Sequence, residues 1–178
     1  MTDRILTVRE IQEPDVAHIV SYWLDSDPIF LHSMGVDSAK IPAREQLTQM
    51  ISEQLTQSYE KKKAYAIIWE IDGKPAGHCN VNKIVFGKEA YMHLHLWNSH
   101  SRQKGAGTAF VKLTVPYFFR NLQLEVLYCE PYALNPAPNK TLNKAGFEFV
   151  KEYVTIPGAL NFEQPVYLWK LPYDKHSH

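Results

Sequence analysis

Cysteine is scarce in this chain: Cys79 and Cys129 are the two present among 178 residues. Both fall in strand-like runs, so a disulfide framework is excluded as the organising device and two reduced, partly buried thiols are expected. No apolar run approaches the roughly 20 residues needed to span a bilayer. The opening residues, MTDRILTVRE, lack the charged-then-apolar pattern of a signal peptide, so the expectation is a cytoplasmic protein with no membrane partner. Charge of either sign is not in excess, since nineteen basic residues balance nineteen acidic ones. That argues against a nucleic-acid partner, whose recognition calls for a basic surplus. Internal repeats and linkers are also lacking. Hydrophobic residues at 45% and charged residues at 21% exclude a disordered chain, and the length suffices to bury a core without cross-links. A single domain over residues 1–173 is expected, with 174–178 as a disordered tail.

Periodicity then lays out the elements. Residues 5–10 alternate as a first strand, and Pro14-Asp15 opens a helix with Val16, Ile19, Val20 and Trp23 on its apolar face. Residues 25–42 show no clear period and are expected to be a functional or surface-pinned loop. A second helix is expected over residues 43–59, with the lysines 61–63 as its solvated end. Strands over 64–71 and 75–85 are joined by Asp72-Gly73, a strong hairpin signal. After the helix that runs to about Arg120 come a strand at 124–130, a short helix stopping at Gly146, and strands at 147–155 and 165–171. The expected class is mixed α/β, with the order β-α-α-β-β-β-α-β-α-β-β.

The chemistry concentrates in YMHLHLWNSHSRQKGAGTAF, residues 91–110. As a strand, this stretch puts Met92, Leu94 and Leu96 on one face and Tyr91, His93, His95 and Trp97 on the other. A polar turn follows, then a glycine-containing loop, then an apolar helical pattern (Phe110, Val111, Leu113, Val115). Such a strand-loop-helix passage aims free backbone N–H groups and the positive end of the helix dipole at one point, which makes a diphosphate cradle. A P-loop is set aside because no Lys-Ser/Thr pair follows the second glycine.

At these residues the chain resembles the GNAT superfamily of acyl-CoA N-acyltransferases, whose central motif is R/Q-x-x-G-x-G/A. Arg102, Gly105 and Gly107 fit it. Residues 135–147 resemble a second family segment, N-x-x-S-x-x-x-Y/L-x-K-x-G-F, through Asn135, Lys144, Gly146 and Phe147. Pro138 replaces the common Ser, and Leu142 stands where many members carry a Tyr that protonates the departing thiolate. The resemblance implies a GNAT fold, a central twisted mixed sheet of about seven strands with flanking helices. It also implies acetyl-CoA or another acyl-CoA as co-substrate, and no metal. Backbone near Leu96, Trp97 and Asn98 would pair with pantetheine, and Arg102, Gln103, Lys104, Gly105, Ala106, Gly107 and Thr108 would hold the diphosphate, with Asn135 and Asn139 completing the cofactor site.

Attack on a thioester needs a neutral amine, and an alkylamine near pKa 10.4 is mostly protonated at neutral pH, so a carboxylate or imidazole is expected nearby. The catalytic candidates are His93, Glu130 and Tyr132, with His95 and Glu130 also placed to bind the acceptor. His93 and residues 130–135 look like the siderophore-associated lysine N-acyltransferase branch, with Tyr132 replacing a second acid. Aminoglycoside and ribosomal-protein N-acetyltransferases share much of that downstream pattern. The favoured acceptor is a small-molecule amine, the protein acting as a monomer or homodimer. The alternatives are an acyl-CoA sensor without catalysis and a protein N-terminal acetyltransferase. His93 and His95 could equally just cover the sheet, Glu130 be a solvated strand end, and Tyr132 a packed rim aromatic. A His78–His93–His95 metal site lacks an acidic or cysteine ligand at a known spacing.

Overall fold

A computed structural model describes residues 3–102 and 105–176. One seven-stranded sheet runs through the chain in the order β1-β2-β3-β4-β5-β7-β6. Its strands are β1 (Leu6–Glu10), β2 (Tyr65–Ile71), β3 (Lys74–Val85), β4 (Glu89–Leu96), β5 (Val126–Cys129), β6 (Glu148–Thr155) and β7 (Gln164–Pro172). Every neighbouring pair is antiparallel except β4 with β5. The helices are α1 (Glu13–Asp25), α2 (Pro28–Ser33), α3 (Arg44–Leu55), α4 (Ala106–Leu122), α5 (Pro136–Lys144) and α6 (Tyr173–His176). The expected mixed α/β class and strand count hold.

The two sheet faces differ in what covers them. On one side α4 buries Phe110, Val111, Val115 and Phe118 against Ile67, Trp69 and Met92. Trp69 lies flat on Phe110, centroids 4.8 Å apart, and its indole N–H donates to Thr114 Oγ1 at 2.8 Å. Thr114 thus takes an inward position while Leu113, counted with the apolar stripe from the sequence, is exposed. The other face is covered by α1 and α3, whose Val16, Val20 and Leu47 form a smaller cluster. This thinner cover leaves room over β3 and β4, and two cavities lie there.

Several boundaries move. Residues 25–42, read as a loop, contain α2 and a 3-10 turn at Ser38–Lys40. Asp27 caps α2 by accepting from Ile29 N at 2.9 Å, and Asp37 caps the turn by accepting from Ala39 N at 3.0 Å. Six residues are too few for a 3.6 period to register. Helix α3 ends at Leu55 rather than 59, and a 3-10 turn, Tyr59–Lys61, follows it. The lysine run is therefore not a free helix end, because Lys62 folds back to donate to the Gln54 carbonyl. The Asp-Gly hairpin forms as expected, with φ of 52° at Asp72 and 75° at Gly73. Residues 173–176 form the short helix α6, which runs into the 174–178 segment expected as the tail, and Tyr173 N donates to Glu125 O at 2.9 Å.

Candidate active site

The site begins where β4 stops. Asn98 Oδ1 accepts from Ser101 N at 2.9 Å and Ser101 Oγ at 2.8 Å, which turns the chain tightly after the strand. Gly105 then takes φ 87° as the N-cap of α4, a left-handed backbone that glycine adopts without a Cβ penalty. The first helical bond runs from Ala109 N to Gly105 O. The amides of Ala106, Gly107 and Thr108 therefore have no acceptor within the helix. A Cβ on Gly107 would come within 3.3 Å of Thr141 Oγ1, so this glycine lets α5 approach α4. Gly105, Gly107, Thr108 and Arg102 line a cleft of about 370 Å³ that Lys140, Thr141 and Lys144 of α5 close from the opposite side. Unpaired amides, a helix N-terminus and cationic side chains around one cleft fit a diphosphate. The Arg102 guanidinium lies 4.1 Å over the Phe30 ring of α2 and donates to Leu96 O at 3.4 Å. Gln103 and Lys104 lie outside the described residues.

The cleft continues into a split in the sheet. β4 and β5 pair at three positions, Glu89–Val126, Ala90–Leu127 and Tyr91–Tyr128, after which Cys129 Sγ donates to Met92 O at 2.9 Å. Trp97 N donates to Ala76 O of β3 at 2.9 Å. Because backbone groups alternate sides along a strand, the peptide groups of Leu94 and Leu96 point away from β3, toward the split. The backbone edge open to a pantetheine arm therefore lies at Leu94 and Leu96. Trp97, expected to share in it, has its amide committed to β3, and Leu94 was missed because sequence does not say which edge a residue faces.

Beyond the split lies a second cavity of about 220 Å³, with His93, His95, Glu130 and Tyr132 in its wall. The two spaces share Met34, Leu94, His95, Asn135 and Pro138. His93 Nε2 lies 3.0 Å from Asn82 Oδ1; with that oxygen accepting, Nε2 carries the hydrogen and Nδ1 keeps its lone pair. Burial, helped by the Lys83 charge, pulls His93 down to about 4. His95 stacks on His78 at 4.8 Å and its Nδ1 sits 3.1 Å from the Tyr22 hydroxyl. Burial and the neighbouring His78 and His93 hold His95 well below its usual value. His78, which accepts from Trp97 Nε1 at 2.8 Å, is lowered by burial to about 3. All three imidazoles are neutral at physiological pH.

Glu130 is buried and accepts from the Tyr153 hydroxyl, with Lys83 Nζ 3.9 Å from its other oxygen. Burial raises its carboxyl, against the lowering pull of Lys83 and Lys151. Tyr132 stands edge-on to Phe162 at 5.7 Å. The far wall comes from the 28–42 segment and the loop between β6 and β7, locked together at Gly35. Its carbonyl accepts from Asn161 Nδ2 at 2.9 Å and Gln164 Nε2 at 2.7 Å. Asp37 N donates to Leu160 O at 2.8 Å.

A cradle at a helix N-terminus opening through a split parallel pair into a histidine-lined cavity has a match among known families. The profile of the Acetyltransferase (GNAT) domain fits residues 6–148. The chain belongs to the GNAT family. This GNAT domain is accordingly an acetyl-CoA-dependent N-acetyltransferase, with acyl-CoA as its co-substrate. No curated protein sequence matches it. Among solved structures, a spermidine N-acetyltransferase from Vibrio cholerae, in complex with CoA and spermine, superposes with TM-score 0.78 at 16% identity, covering 97% of this chain and 98% of the other. RimL, a ribosomal L7/L12 alpha-N-protein acetyltransferase in complex with coenzyme A, gives 0.76 at 15% identity over 96% and 95%. The aminoglycoside acetyltransferase AAC(6')-Ib with coenzyme A gives 0.73 at 17% over 97% and 98%. At these identities the likeness is one of fold.

Two motif residues of this GNAT domain stand away from the cleft. Asn139, expected at the cofactor, spends its amide on the scaffold. Nδ2 donates to the carbonyls of Tyr132 at 3.2 Å and Asn135 at 2.8 Å, and Oδ1 accepts from Trp169 Nε1 at 2.9 Å. Leu142 is fully buried in the main core, so its side chain packs rather than reaching the sulfur site. Asn135, by contrast, lines both spaces. Sequence reading missed Tyr22, Lys140, Thr141 and Tyr153. For Lys140 the spacing to Lys144, one helical turn, was the available signal. Nothing local marks Tyr22 or Tyr153, which the fold brings in from elements remote in sequence. Among the described residues no group of His, Cys, Asp and Glu is arranged to hold a metal ion, and no helix is long and apolar enough to cross a membrane.

Proposed function

We propose that this protein transfers the acetyl group of acetyl-CoA to the primary amine of a small molecule. The observation that carries the reading is His95, which stands in the wall of both the diphosphate cleft and the polar cavity. An amine in one space there faces a thioester reaching in from the other.

Bound acetyl-CoA supplies an activated acyl carbon. Arg102, Lys140, Lys144 and the amides of residues 106–108 hold its diphosphate, and the free edge of Leu94 and Leu96 holds its arm. Glu130, fixed by Tyr153, receives the ammonium and takes its first proton, freeing the lone pair. His93 takes the second proton through Nδ1 as that lone pair forms the new C–N bond. The C–S bond breaks with its electron pair on sulfur, and Tyr22 protonates it. Burial keeps the Tyr22 phenol protonated, and its bond to His95 Nδ1 supplies the route for the replacement proton. Tyr22 thus takes the acid role first assigned to Tyr132, which lines the amine cavity and not the cofactor cleft.

A small acceptor is supported by the wall that closes the cavity, where the 28–42 segment is pinned to the β6–β7 loop through Gly35. A peptide acceptor calls for an open groove on that side. Thiol release from acetyl-CoA, measured against a panel of primary amines and peptide N-termini, tests the reading. Amine turnover that drops about 100-fold or more in His93→Ala or Glu130→Gln supports it. Turnover only with peptides, or turnover indifferent to both substitutions, overturns it.

A further inference from the structure

A third space of about 260 Å³ lies under α1 and α3 on the same sheet face, walled mainly by apolar side chains such as Ile19, Ile51 and Leu55. It is not an isolated void. Trp23, Asn80, Asn82 and Leu160 line both it and the amine cavity, so the two are neighbouring chambers along one face. Asn80, opposite His93 in the β3–β4 register, stands in the common wall. Among the described residues its carboxamide makes no hydrogen bond, whereas its strand neighbour Asn82 is engaged by His93. An amide with free donors and a free acceptor at the join of two chambers is placed for a ligand that passes it.

Charge narrows what that ligand is. Among the described residues Glu130 is the sole carboxylate in the walls of the two chambers, and Lys83 stands 3.9 Å from it. Lys62, whose ammonium donates to the Gln54 carbonyl, also lines the apolar chamber. A second positive charge on the acceptor would meet no carboxylate in the wall of the apolar chamber, since Glu10 nearby is taken up by Lys62, Tyr59 and Tyr65, whereas hydrocarbon gains from burial there.

We propose that the acceptor is a primary monoamine with an apolar arm. Its nitrogen lies between His93 and Glu130, and its arm passes Asn80 into the chamber beneath α1 and α3. The assignment rests on the acetyl-transfer reading above and adds the substrate class to it.

The test is the chain-length dependence of kcat/KM for n-alkylamines from ethyl to octyl, set beside a linear triamine of similar length. The expected result is a rise of about fourfold per methylene until the chamber fills, with the triamine below the matching alkylamine. Ala66→Phe, on β2 opposite Asn80, fills the chamber, and Leu55→Trp fills it from α3 should the first variant misfold. Either flattens the octylamine-to-ethylamine ratio of kcat/KM toward one. A flat series in the wild type, a triamine preferred over the alkylamines, or a ratio unmoved in a folded filling variant overturns the substrate class while leaving acetyl transfer standing. Acetylation of no amine in either series, with coenzyme A still bound, removes both.

Discussion

Lowering the pH from about 7.5 to about 5 is expected to cost the fold on the order of 4 kcal/mol through His78 and His93, with His95 adding to the loss. His78 is held at about 3, His93 at about 4 and His95 well below its usual value, each chiefly by burial. In the unfolded chain each returns to about 6.5. The folded values lie below the unfolded ones, so the unfolded state binds more protons in this window. The stability is fully present above about pH 6.5 and is lost as pH falls toward the folded values. At about pH 5 the linkage RT ln(1 + 10^1.5) is about 2 kcal/mol for each of His78 and His93, and it depends little on how far below 5 the folded value lies. Two such terms are already a large part of a typical total stability of about 5–15 kcal/mol. Glu130, raised in the fold, binds its proton more readily when folded and offsets part of the loss. The assay is urea denaturation at both pH values in the wild type and in His78→Asn, whose side-chain oxygen can still accept from Trp97 Nε1. The variant should lose about 2 kcal/mol less than the wild type. Equal losses in the two proteins would refute the reasoning.

Other consequences can be measured separately. Asn139→Ala strands the Trp169 indole N–H and frees the carbonyls of Tyr132 and Asn135; a loss of about 1–3 kcal/mol per stranded buried group is expected by urea titration. Gly105→Ala forces an alanine to φ 87° at about 1–2 kcal/mol, and calorimetry should show weaker coenzyme A binding. Tyr22→Phe should lower kcat about 100-fold with KM for the amine little changed. An unchanged kcat would remove Tyr22 from proton transfer.

The strand-loop-helix passage from β4 to α4 was readable in advance because its signals are local: a strand period, a glycine-containing loop, and an apolar helical run after it. The Asp72-Gly73 hairpin was legible for the same reason. Asn139 misled because a motif position says nothing about which way a side chain turns; α5 aims it inward to brace Trp169, as it aims Leu142 into the core. Trp97 misled by a single peptide, since its amide faces β3 while that of Leu96 faces the split. Tyr22, on α1, meets His95 across 73 positions of sequence, and Tyr153 meets Glu130 across 23. Such meetings depend on how elements pack over the sheet, and periodicity within one element carries no record of them.

The double acceptance at the Gly35 carbonyl bears on how this protein could be re-engineered or diversify. A Cβ on Gly35 would sit 2.2 Å from Gln164 Oε1, so the two flanks fit as one shape and neither tolerates an outsider. A graft carrying a foreign 27–42 segment alone would leave Asn161 and Gln164 without their shared partner. Transplanted together with 157–164, it travels as a matched cassette, and new acceptor preferences should arise by exchanging the pair rather than by drift on one side.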